Sequence, residues 1–76
     1  MGKYTTLAGR YRILNESFLR ERAKRTFDPR HLFYEAMLSN ETYEAYLAAM
    51  GDNRGRFSSR TEILYARRNG WIIDGA

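Results

Sequence analysis

The sequence predicts a mainly α-helical fold, a small bundle of about four short helices. Three observations lead there. Apolar residues recur at helical spacing in four stretches between residues 15 and 70. Helix start signals (Asn15, Asp28-Pro29, Ser39-Asn40, Ser59-Arg60-Thr61-Glu62) and glycine stops (Gly51, Gly70) punctuate those stretches. The 76 residues are 43% hydrophobic and 14% aromatic, too rich in core material for a disordered chain.

A single domain over residues 1–76 is expected: an arm or short strand (1–14), a helical core (15–70) and a tail (71–76). A chain this short buries only about 60% of its unfolded surface, so caps and a few aromatic residues must matter. In the arm, Thr5, Thr6 and Gly9 disfavour helix, while Arg10-Tyr11-Arg12-Ile13 alternates polar and apolar residues as a strand does.

The first helix is expected to start on Asn15 as cap, with Phe18, Leu19, Ala23 and Phe27 as its apolar side. The second has Asp28 as cap and Pro29 at the first helical position, where the missing N–H costs nothing. Leu32, Phe33, Ala36 and Met37 follow at helical spacing. Ser39-Asn40 breaks that pattern and can cap a third helix over Glu41–Met50, with Tyr43, Tyr46, Leu47 and Met50 on one face. Gly51 suits a left-handed stop.

Residues 51–56 read as a loop. Ser59 and Glu62 then read as a capping box for a fourth helix, ending at Asn69-Gly70. On that helix Arg60 and Arg67 project on nearly the same side as Ile63 and Leu64. That side must meet a partner or let the Arg stems lie along the core edge with their heads in water. Trp71 is expected to pack over the last helical turn. Ile72 and Ile73 could pair with Tyr11–Ile13 as a two-stranded ribbon.

Catalysis finds little material. The absence of cysteine removes disulfides, thiolate nucleophiles and zinc–thiolate sites together, and suits a cytoplasmic protein. His31 is the single histidine and lacks an evident nucleophile as partner. Glu41 and Glu44 read as charges at a helix N-terminus, on a solvated face. Gly51 and Gly55 match neither a phosphate-binding loop nor, with Asp52 and Asn53, a calcium loop. No catalytic residue, cofactor or metal is expected. The N-terminus lacks the apolar core of a signal peptide and only loosely matches a myristoylation site. No apolar run approaches membrane-spanning length.

Charge is the main functional signal. The net charge is +4, and 11 of the 13 basic residues are Arg, a rigid fork suited to phosphate or carboxylate. Coding bias toward Arg explains that count nearly as well. The basic residues belong to the two ends of the chain: residues 1–30 carry net +5, residues 31–53 net −4, and residues 54–76 net +3. Arg10, Arg12, Arg20 and Lys24 in the first block, and Arg54, Arg56, Arg60, Arg67 and Arg68 in the last, are the candidates for contact with nucleic acid or another partner. Arg10 and Arg12 sit in an arm that could reach a groove.

A helix–turn–helix is only partly matched. The second and third helices are joined by a short turn, but the third carries Glu41 and Glu44 and no basic residue. The third and fourth are separated by about eight residues, longer than the motif wants. The aromatic residues (Tyr4, Tyr11, Tyr34, Tyr43, Tyr46, Tyr65, Trp71) exceed what so small a core is expected to enclose. Tyr34 and Tyr65 lie off the main stripes and are candidates for an exposed interface patch. The leading expectation is a small regulatory protein that binds DNA or RNA. The alternative is a non-catalytic adaptor or inhibitor that binds another protein, for example a component of the transcription machinery, through Arg and Tyr. The first stands or falls with whether residues 10–25 and 54–68 share a surface.

Overall fold

The computed structural model describes residues 7–51, 53–54 (backbone only) and 57–75. Among them the order is β1 (Tyr11–Ile13), α1 (Glu16–Ala23), α2 (His31–Ser39), α3 (Tyr43–Met50), β2 (Asn53–Arg54), β3 (Phe57–Ser58), α4 (Ser59–Arg68) and β4 (Ile72–Asp74). The mainly helical fold and the terminal ribbon are both present. β1 and β4 pair antiparallel with Tyr11 opposite Asp74, Arg12 opposite Ile73 and Ile13 opposite Ile72.

Asn15 caps α1 as expected, its side chain accepting from the Phe18 N–H at 3.2 Å. The helix stops at Ala23, however, and Phe27 is 82% exposed. A helix continued through Phe27 would leave no residues for the reversal before Pro29, whose ring disfavours helical backbone at Asp28. Asp28 organises that reversal instead of capping α2. Its carboxylate accepts from the Arg30 backbone at 3.0 Å and takes the Arg30 guanidinium at 3.1 and 2.9 Å. These bonds hold the Asp28 carboxyl down at a pKa of about 2.

The α2–α3 corner also differs from expectation. Asn40 closes α2, donating to the Ala36 carbonyl at 2.8 Å. Thr42 caps α3, accepting from the Ala45 N–H at 3.0 Å. Glu41 and Thr42 are drawn away from the helix because the N-terminal strand lies across this corner. The Tyr11 N–H donates to Glu41 O (3.1 Å), and the Tyr43 N–H donates to Gly9 O (2.9 Å). The segment expected as a reaching arm is thus docked on the body of the domain from Gly9 onward.

Gly51 ends α3 at φ +77°, its N–H donating to Leu47 O at 2.7 Å. The expected loop contains a short hairpin, with Asn53 opposite Ser58 and Arg54 opposite Phe57. The capping box slips by one residue. Ser58 caps α4, accepting from Thr61 N–H at 3.4 Å, while Ser59 is fully buried and donates to Gly51 O. The far end of α4 forms a Schellman turn: Gly70 N–H donates to Arg67 O and Trp71 N–H to Ala66 O, with Gly70 at φ +79°.

The core is more aromatic than expected. Tyr11, Tyr34, Tyr43 and Tyr46 are all buried, beside Leu19, Phe33, Met37, Ile63, Ala66 and Ile72. The tyrosines fit because their hydroxyls find hydrogen-bond partners. Tyr11 donates to Met37 O at 2.6 Å, Tyr46 to Ser59 O at 2.7 Å, and Tyr43 to the Asp74 carboxylate. Tyr34, expected in an exposed patch, is instead buried in the core. α2 packs against α1, α3 and α4, so more than one of its faces is enclosed. Leu32, on the predicted stripe, is 44% exposed instead.

Candidate nucleic-acid interface

α4 splits its residues between two faces. Ser59, Glu62, Ile63 and Ala66, at the i, i+3, i+4, i+7 positions of an inward stripe, are buried. Arg60, Thr61 and Arg68 are exposed, Tyr65 is 49% exposed and Leu64 half-buried. The helix's one carboxylate is thus on the wrong side for a capping box and absent from the outward face. Glu62 accepts a hydrogen bond from Tyr34 and feels the Arg30 guanidinium, but burial dominates and raises its pKa.

A carboxyl whose pKa is raised by folding favours the fold most when protonated. Its contribution is greatest below the unfolded value of 4.5 and falls as pH rises through the higher folded pKa. Glu62→Gln is therefore expected to melt above the wild type at pH 8 and to converge with it near pH 4. Thermal unfolding across that range checks this, and a Gln variant melting lower than the wild type at pH 8 contradicts it.

The candidate basic residues fall into three groups. Some are tied off: Arg10 pairs with Glu41 at 2.9 Å and Arg20 with Glu16 at 2.7 Å. Arg67 donates to Asp74 at 2.8 Å and reaches the Tyr43 hydroxyl at 3.4 Å. With its side chain only 20% exposed, Arg67 clasps α4 to β4 and α3 and does not face solvent. The side chains of Arg54 and Arg56 lie outside the described residues. Arg12, Lys24, Arg60 and Arg68 are exposed and make no ion pair among the described residues.

Two carboxylates of the acidic middle block are used at the N-terminal strand. Glu41 takes Arg10, and Glu44 accepts from the Gly9 N–H at 3.2 Å. The two carboxylates do not form a pair of their own. His31 Nδ1 donates to the Asp28 carbonyl at 2.8 Å, a helix-entry bond. Among the described residues no group of three His, Cys, Asp or Glu could hold a metal ion, and no helix is long and apolar enough to cross a membrane.

Trp71 joins the two basic segments. Its ring meets Phe18 of α1 at 4.3 Å, Tyr34 of α2 at 6.2 Å and Tyr65 of α4 at 5.5 Å, the last nearly perpendicular at 84°. Arg22 lies over the far side of this cluster, 4.9 Å from the Phe18 ring centre. Trp71 packs over the last turn of α4, as its place after a glycine stop implied. Beside it the outward face of α4 holds a depression of about 170 Å³ lined by Thr61, Leu64, Tyr65 and Arg68.

The inward turn of Glu62 was missed by reading Ser59-Arg60-Thr61-Glu62 as a capping box. The spacing of Ser59, Glu62, Ile63 and Ala66 was the signal available. No family model, curated protein or solved structure matches the chain.

Proposed function

We propose that this chain is a small, non-catalytic cytoplasmic protein that contacts nucleic acid through the outward face of α4. The supporting observation is the sorting of charge on that helix. Glu62 is turned into the core and Arg67 is neutralised by Asp74, so among the described residues the outward face of α4 carries Arg60 and Arg68 and no carboxylate of the helix itself. Exposed guanidinium groups attract phosphate through release of condensed counterions, and Thr61 and Tyr65 add hydrogen-bonding and stacking capacity between them. Of the acidic side chains of the middle block, Glu41 and Glu44 engage Arg10 and Gly9 at the β1–α3 corner, and Glu35 is exposed on α2.

Fluorescence anisotropy with labelled strands and duplexes of about 20 nucleotides tests the reading, with binding expected to fall steeply between about 50 and 200 mM salt. Replacing Arg60 and Arg68 together by alanine is expected to weaken binding about tenfold at low salt and to lower the slope of log K against log salt by about 1.5–2. Absence of wild-type binding at low salt, or a slope untouched by the double substitution, rejects it.

A protein partner is the second reading. Leu14, Tyr65 and Ile73 are each more than 40% exposed, and Tyr beside Arg is a common interface pairing. Recovery of a defined, salt-resistant complex that Tyr65→Ala abolishes, without nucleic-acid binding, selects this reading.

A further inference from the structure

Resting on the nucleic-acid reading, we propose that the Thr61–Leu64–Tyr65–Arg68 depression receives one unstacked nucleobase of a single strand. The base lies against the Tyr65 ring, and Arg68 meets the adjoining phosphate. Size is the first argument. At about 170 Å³ the depression falls below the roughly 300–1,000 Å³ that encloses a free small-molecule ligand. It can hold one planar group, so useful affinity must come from a polymer that also binds beside it.

Chemistry is the second. Phosphate alone gains nothing from Leu64 and the Tyr65 ring, whereas a base has an apolar π-face to set against them, and Arg68 on the same rim complements the negative charge that follows each base. Pre-organisation is the third. Tyr65 is braced edge-on by Trp71, and Trp71 is fixed by Phe18, by its N–H bond to Ala66 O, and by its carbonyl, which accepts from Leu14 and Asn15 at 2.8 and 3.1 Å. A ring already held in place loses little side-chain entropy on binding. Duplex bases present only their edges, so an exposed ring face of this kind favours single strands.

The test measures binding of four probes by anisotropy at low salt: deoxyuridine and uridine homopolymers of about ten residues, which differ only in the sugar, an abasic deoxyribose-phosphate strand of equal length, and a duplex. Both base-bearing strands are expected to bind about 5- to 150-fold tighter than the abasic strand, the range that stacking of one base supplies. A preference between the two identifies DNA or RNA as the natural source and leaves the base site supported. Tyr65→Ala is expected to bring both down to the abasic level, and Tyr65→Phe, which keeps the ring, to retain tight binding.

Equal binding of abasic and base-bearing strands, a duplex bound more tightly than either strand, or a silent Tyr65→Ala overturns the base site. If salt-dependent binding that requires Arg60 and Arg68 persists, the broader reading survives that result. A depression that serves a protein partner leaves Tyr65→Ala silent toward every probe, which also overturns the proposal. Failure of all four probes to bind removes both the base site and the reading beneath it.

Discussion

Tyr46→Ala is expected to cost about 3–5 kcal/mol, the largest loss from any single substitution discussed, because it empties a large volume that neighbours cannot refill. Tyr46 is fully buried on α3, and its hydroxyl donates to Ser59 O across to α4. The substitution therefore removes packing and a link between helices together. A domain of this length has a total stability of about 4–11 kcal/mol, so the loss takes between about a quarter and all of it. Tyr46→Phe keeps the ring and removes only the donor, for an expected loss of about 1 kcal/mol. Urea denaturation of the three proteins checks the order. An alanine variant within 1 kcal/mol of the wild type would falsify the account of the core.

Trp71→Ala is expected to rank second, at about 2–4 kcal/mol. The ring is half-buried, so less surface returns to water than at a fully enclosed site, but it touches three helices through Phe18, Tyr34 and Tyr65. Its backbone bonds to Leu14, Asn15 and Ala66 survive the change, so the β1–β4 ribbon should persist in a softened domain. Trp71→Phe is expected to recover part of the loss. Circular dichroism is the suitable readout, because Trp71 is the one tryptophan and its removal leaves only the fluorescence of the six tyrosines. Equal melting temperatures for Trp71→Ala and the wild type contradict its place as the hub.

The helices were legible because their apolar spacing and stops survive any tertiary context. Gly51 and Gly70 sit at positive φ, where a side chain is strained, and Asn15 caps where it was expected to. The ribbon was legible from the alternation of Tyr11 and Ile13 with arginines. Less legible were places where a tertiary contact outbid a local preference. Thr42 displaced Asn40 as cap of α3 because residues 41–43 serve as the docking edge for residues 9–11. Ser58 displaced Ser59 because Ser59 was needed inside, against Gly51.

The candidate site was legible in composition but not in arrangement. Arg60, Arg67 and Arg68 look equivalent in sequence, yet Asp74, seven residues beyond Arg67 and across the chain reversal at Gly70, claims Arg67 alone. Tyr34 and Tyr65 both lie off the predicted stripes. α2 is enclosed by three helices and α4 is not, so one ring is in the core and the other at the surface. Helix periodicity states which residues share a side. It does not state how many sides acquire neighbours.

The β1–β4 ribbon has a consequence for how the chain acquires its structure. It pairs Tyr11 with Asp74, residues about sixty positions apart, so a long closure must be completed before those contacts return any energy. During synthesis α1, α2 and α3 can nucleate on contacts between near neighbours. Tyr43 waits for Asp74, and the last core position for Ile72, until the final strand has left the ribosome. The helices are therefore expected to form ahead of the ribbon, whose closure completes the core around Tyr43 and Ile72.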